Sequence, residues 1–255
     1  MSNHRVLATL ALLFLLTTTL CAQPKKETKD EPPRVILAMP MAVEIGKKAK
    51  IVLRGLKIDT VTEVRFQEPR TTGKLLGDTK KIPLPNNANV NQVGDSEISI
   101  EVIVPQEVVG STISFSVVGP NGESKPHSLI VKDDIPIVVE KEPNDGFRQA
   151  QTISLPVVIE GSIKQAQDVD VFRFEGKKGA KIHVELQANR FGSPVDGMLT
   201  LYDEAGRIIA TADDSPVSLD PLFAVELPRD GVYYLSLLDA HDQGGGLYLY
   251  RLIVR

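Results

Sequence analysis

Six oxygen-bearing side chains fall in two short runs of this chain: Glu140, Glu142, Asn144 and Asp145, then Asp168 and Asp170. In an extended segment side chains alternate between faces, so 140, 142 and 144 share one face, as do 168 and 170. Clustered carboxylates repel one another unless a cation lies among them. Calcium takes about six to eight oxygens from carboxylates, amides and carbonyls and tolerates irregular geometry, so a calcium site is the chemistry these residue types can do. The same residues would also suit a solvated linker in which Asn144 or Asp145 caps a turn, with Asp168 and Asp170 discouraging strand pairing at an edge. Asp213, Asp214 and Asp220, in a loop with Ser215 and Pro216, are a sparser second candidate.

Catalytic groupings are not evident. No metal-hydrolase helix motif, nucleophile elbow or phosphate-cradling glycine loop occurs. His4 falls in the expected signal peptide, while His127, His183 and His241 are scattered, His183 inside an alternating run where the sheet surface is its default place. Nothing offers a nucleophile and a base together, so the expectation is a protein that is not an enzyme. The net charge of -4 gives no basic footprint for nucleic acid.

The elements that would position the acidic runs are strands. The chain has 255 residues, no Trp and 5% aromatics, so its cores must be built from Val, Ile and Leu, and 19 Gly with 17 Pro suit many short strands joined by turns. Ile98, Ile100, Val102 and Val104 alternate with polar neighbours until Pro105, which cannot donate to a ladder. Ile113, Phe115 and Val117 alternate ahead of the turn Gly119-Pro120-Asn121-Gly122. Further on, Ile182, Val184 and Leu186 alternate, Asp203-Glu204-Ala205-Gly206 makes a hairpin turn, and Val232 to Leu237 and Leu247 to Val254 close the chain. The reading is all-β, two consecutive antiparallel β-sandwich domains: 35–133, and 134–255 including its acidic linker. The polar stretch from Glu68 to Gly94 reads as a long loop, mobile or binding. Helix is expected only at the N-terminus, with at most a short turn near Phe147 to Gln151. Tyr233, Tyr234, Tyr248 and Tyr250 make either an exposed binding patch or, with alternate rings buried, core.

Residues 1–22 read as a signal peptide: His4 and Arg5, an apolar run from Val6 to Leu16, then Leu20-Cys21-Ala22 with cleavage expected after Ala22. The run is short of the roughly 20 residues of a comfortable span, and no second hydrophobic stretch follows, so no transmembrane segment is expected in the mature chain. Cys21, the single cysteine, would anchor a lipoprotein only at the first mature position, where Leu20 is a poor predecessor. Residues 23–34 are charged and proline-rich, a disordered tether. The destination is therefore periplasmic, cell-surface or extracellular.

Two family resemblances overlie this reading. Residues 33–133 resemble IPT/TIG immunoglobulin-like domains through Met39-Pro40, Val43-Glu44-Ile45-Gly46, Ile51 to Leu56, Val61 to Phe66 and Val104-Pro105. Residues 140–255 resemble the bacterial pre-peptidase C-terminal (PPC) domain, a β-sandwich found beside secreted proteases and in clostridial collagenases. That likeness is carried by Glu142-Pro143-Asn144-Asp145, Gly161-Ser162-Ile163, Asp168 to Phe174, Leu199 to Tyr202 with Gly206, Asp213-Asp214 and Gly231 to Leu235. It implies a structural Ca2+ held by Glu140, Glu142, Asn144 and Asp145, with one or both of Asp168 and Asp170. It further implies a non-catalytic binding or adhesion module for an extracellular protein or polysaccharide, or else an accessory partner of a separately encoded secreted protease.

Overall fold

The computed structural model describes residues 31–84 and 89–255. The expected signal peptide, Cys21 and most of the tether lie outside the described residues. Residues 31–255 form one compact unit.

Sheets form where apolar side chains recur at every second position. In the strand Ser96–Ile103, Ile98, Ile100 and Val102 are buried while Glu97 and Glu101 face outward. This strand pairs with Lys48–Leu56 on one side and Thr72–Lys81 on the other, and Arg34–Met39 completes an antiparallel four-stranded sheet. The facing sheet runs Ala42–Val43, His127–Val131, Thr112–Gly119, Glu63–Phe66. Ile51, Leu53, Ile98, Ile100, Phe115, Val117 and Leu129 fill the space between them.

The second pair of sheets is drawn entirely from residues 137–254. One runs Ile137–Val139, Val157–Ser162, Leu249–Val254, Lys181–Gln187, Leu222–Glu226, and the other Gln151–Thr152, Val169–Gly176, Gly231–Asp239, Gly197–Asp203, Ile208–Ala212. Phe172, Phe174, Leu199, Leu201, Tyr233, Leu235, Tyr250 and Leu252 meet in the layer between. The fold is all-β and rich in antiparallel pairs, as the alternation in the sequence requires. Three short strands at sheet edges depart from it by pairing in parallel: Ala42–Val43, Ile137–Val139 and Gln151–Thr152.

Two expectations need correction. The stretch from Glu68 to Gly94 is not mainly loop, since Thr72–Lys81 is a ten-residue edge strand and Val90–Val93 a single helical turn capped by Asn89. The strand carries a bulge between Leu75 and Thr79, where four steps face two of its neighbour, with Gly77 at φ 79°, and it buries no face whose apolar alternation would have revealed it. Residues 85–88 lie outside the described residues. The short turn expected near Phe147 is present at residues 147–149, and helical turns that were not expected occur at Ile58–Thr60 and Asn189–Phe191.

The two pairs of sheets are packed together through a separate apolar cluster. Leu37, Met41, Ala42 and Ile130 from the first pair surround Phe191 from the second, with Leu247 and Leu249 against them. Gly192 follows Phe191 at φ 91°, and a Cβ there would collide with the Ile36 carbonyl.

Candidate functional site

The acidic segment sits where the chain crosses between the sheets of the second sandwich. Ile137–Val139 adds to the edge of one sheet, and the ladder continues one residue further through Glu140 N–H to the Glu160 carbonyl at 2.9 Å. The chain then leaves that sheet, and Gln151–Thr152 joins the edge of the other beside Val169–Gly176. Midway across, Val171 N–H donates to the Asn144 carbonyl at 3.0 Å. Gln151 ties the crossing at its base, accepting from Lys141 N–H at 2.7 Å and donating to the Val139 carbonyl at 3.0 Å. Phe147 stacks on Tyr234 with centroids 4.3 Å apart and meets Tyr202 edge-on. Each half of the acidic motif is therefore held by backbone pairing on a different sheet.

The crossing brings the two runs together. Oxygens of Glu140, Glu142 and Asp170 lie within 4.8 Å of one another, and so do those of Glu142, Asp145 and Asp168. Glu142 belongs to both groups. Asn144 is fully buried and donates its side-chain amide to Asp170 Oδ1 at 2.9 Å, while its backbone N–H reaches Glu142 Oε2 at 3.2 Å. Ser162 touches the site only through its N–H, 3.4 Å from Glu140 Oε2. All six residues singled out in the sequence thus share one neighbourhood.

Lys164 is the member that sequence reasoning missed. Its Nζ lies 2.9 Å from Glu140 Oε1 and 3.2 Å from Glu142 Oε1, and its N–H donates to Asp168 Oδ2 at 2.6 Å. Nothing about a lone lysine after Gly161-Ser162-Ile163 marks it as a partner of residues more than twenty positions away. Of the two alternatives for the tyrosines, the structure takes the second: the rings of Tyr233 and Tyr250 are buried in the core, which removes them from any exposed patch. Tyr234 and Tyr248 remain half-buried.

Burial and mutual repulsion govern the electrostatics. Burial pushes the Asp170 carboxyl up to about 7, opposed by the Tyr250 hydroxyl and the Asn144 amide and reinforced by the charges of Glu140 and Asp168. Asp168 is raised for the same first reason, reinforced by Glu142 and Asp145 and opposed by the Lys164 N–H. For Lys164 burial disfavours the charge, but the ion pairs with Glu140 and Glu142 outweigh it and raise its value. The Tyr250 hydroxyl is driven well above its ordinary value by burial and by the adjacent Asp170.

The residues fit a hard cation. All six side chains present oxygen, the donor preferred by calcium over thiolate- or imidazole-seeking metals. Asn144 Oδ1 and Asp170 Oδ2 are buried with no hydrogen-bond partner, the condition that a ligand atom awaiting a metal would be in. A cleft of about 340 Å³ adjoins Glu140 and Lys164, walled by Pro40, Met41, Val139 and Leu249.

Asp220 is not part of a second acidic site. It is fully buried, and its carboxylate accepts the N–H groups of Ala188, Asn189 and Arg190, fastening the turn at Asn189–Phe191. Asp213 and Asp214 are exposed. Among the described residues, no helix is long and apolar enough to cross a membrane.

A probable subtilase-type serine protease of Deinococcus radiodurans is 34% identical over 99 residues, which is 38% of this chain and 14% of that protein. The chain thus spans about a seventh of that relative. Among solved structures, the pre-peptidase C-terminal domain of a collagenase from Bacillus anthracis is 19% identical, covering 46% of this chain and all of the other at a TM-score of 0.34. SGBP-B of the Bacteroides ovatus mixed-linkage glucan utilisation locus, in complex with a mixed-linkage heptasaccharide, is 10% identical over 86% of this chain and 74% of its own, at a TM-score of 0.28. Such low scores carry no functional conclusion. Residues 168–238 match the family model of the bacterial pre-peptidase C-terminal domain, a stretch that includes Asp168 and Asp170 and begins beyond Glu140, Glu142, Asn144 and Asp145.

Proposed function

We propose that this chain is an exported, non-catalytic binding module whose second sandwich is braced by calcium at the acidic crossing. The observation that carries the reading is the meeting of five carboxylates and Asn144, with Asn144 Oδ1 and Asp170 Oδ2 buried and unpartnered. Glu140, Glu142, Asn144, Asp145, Asp168 and Asp170 would hold the ion, and the ion would supply positive charge beyond the single ammonium of Lys164. Because those residues come from both sheets, a cation bound to them links the crossing to Val169–Gly176 and stiffens the end of the sandwich next to the joint. Export is supported by the N-terminal apolar run of the sequence. The first sandwich is taken as an IPT/TIG-like module on the turn and core residues that carry that resemblance.

Binding of an extracellular polysaccharide or protein is supported by a polar cleft of about 530 Å³ lined by Asn189, Asp196, His241, Gln243 and Tyr248. Planar amides and carboxylates beside an aromatic ring suit a hydroxyl-rich ligand. The non-catalytic reading is supported by the dispersal of the histidines: His127 is enclosed beside Phe115, His183 is exposed on a strand, and His241 pairs with Asp196 at 3.2 Å. A second reading, an accessory partner of a separately encoded secreted protease, draws on the likeness to a segment of the Deinococcus protease.

The calcium reading is tested by thermal unfolding of the protein in millimolar calcium and in chelator. A ligand bound only to the folded state at a hundredfold excess over its Kd stabilises by about 2.7 kcal/mol, so a clear upward shift is expected. An unchanged midpoint in wild type overturns it. Capture on immobilised glycans against capture of a co-expressed secreted protease separates the two binding readings.

A further inference from the structure

We infer that Lys164 is the internal counter-cation of this acidic site, and that a calcium ion binds by displacing its ammonium from Glu140 and Glu142. The inference rests on the calcium reading above and adds to it a residue that sets the affinity.

The geometry is specific. Lys164 Nζ contacts the very two carboxylates, Glu140 and Glu142, that share a group with Asp170. A divalent ion and an ammonium cannot both take those oxygens without mutual repulsion in a partly buried place. The two ends of Lys164 differ in freedom. Its N–H is held 2.6 Å from Asp168 Oδ2, so the residue stays rooted at the site. Its side chain is 48% exposed at the end of a flexible four-carbon stem, so the head can swing into solvent without moving the backbone.

The lysine is also an incomplete substitute. One positive charge faces five carboxylates, and its three donors leave Asp170 Oδ2 and Asn144 Oδ1 unpartnered. A cation reaching those atoms satisfies what the ammonium does not. Lys164 therefore holds the crossing together in the absence of calcium and competes with calcium when it is present. Removing it has opposite effects on the two states, a signature that a merely structural lysine would not give.

The experiment is calcium titration calorimetry and thermal unfolding of wild type, Lys164→Met and Lys164→Gln, the second variant covering a failure of the first to fold. Expected are a lower midpoint than wild type in chelator and a calcium affinity about three- to tenfold tighter, the equivalent of losing a competing ion pair of modest strength. Wild type that binds no calcium overturns the calcium reading and the displacement with it, whatever the variants bind. Equal or weaker affinity in both variants, with wild type binding normally, overturns the role of Lys164 and leaves the calcium site standing. No calcium heat in any of the three proteins overturns both.

Discussion

Asn144 donates its side-chain amide to Asp170 Oδ1 at 2.9 Å, and both residues are fully buried. This contact fastens the crossing between the sheets to the start of Val169–Gly176. It also leaves one oxygen on each residue without a partner. A carboxylate this deeply buried is costly to keep ionised even beside the Tyr250 hydroxyl and the Asn144 amide, which is why burial pushes the Asp170 carboxyl up to about 7.

Asp170→Asn separates the cost of that charge from the gain of a cation. The replacement carbonyl can still accept from Asn144, while the buried charge disappears. In chelator at pH 8 the variant is expected to unfold at or above the wild-type temperature, and calcium is expected to raise its midpoint little or not at all. Differential scanning calorimetry with and without calcium reads both effects, and a full calcium shift in the variant removes Asp170 from the ligand set.

Asp220→Ala should act on the fold alone. Losing the acceptor of three backbone N–H groups at the turn Asn189–Phe191 is expected to cost about 2–4 kcal/mol in urea unfolding. The upward shift produced by calcium should persist, since this carboxylate is already used by the backbone. A calcium response that vanishes with Asp220 would move the ion to the Asp213-Asp214 loop.

Gly192→Ala should loosen the joint. The residue stands at φ 91° with the Ile36 carbonyl where a Cβ would go, so both backbone strain and a steric collision oppose the methyl. A loss of about 2 kcal/mol or more is expected, read as a lower urea midpoint. Hydrogen exchange should also quicken at Arg34–Met39, and protection unchanged there would show that the joint yields without cost.

Stability should fall in mild acid through His127. Burial holds this imidazole down to about 4, its Nε2 is unpartnered, and its ring lies 5.6 Å from Phe115. The folded value is below the unfolded one of about 6.5, so the unfolded chain binds the proton more readily. Stability is complete above about 6.5 and is lost as pH falls toward about 4, by at most about 3 kcal/mol. Urea midpoints at pH 7 and pH 4.5 should therefore differ less in His127→Phe than in wild type. Carboxylates titrate in the same range, so the difference between the two proteins is the measurement, and equal drops would clear His127.

Local pattern carried the strands and the donor chemistry. The alternation Ile98, Ile100, Val102 needs only one buried face to be read, and that face is buried. The spacing of Glu140, Glu142 and Asn144 determined which oxygens could point one way. Where the two acidic runs meet was decided by tertiary structure, because Asn144 and Asp170 are 26 residues apart and are joined by strands pairing on two different sheets. The tyrosines show the same division: alternation dictated that Tyr233 and Tyr234 face opposite sides, and only the packing of the two sheets chose Tyr233 for the core. Thr72–Lys81 was hidden because an exposed edge strand needs no apolar face and a bulge shifts its register, so its pairing comes from the neighbour Ser96–Ile103. Lys164 is the clearest case of the second kind. A charge takes whichever partners the fold brings within a few ångströms, and its 22-residue reach to Glu142 is set by chain closure, not by any property of the residues beside it.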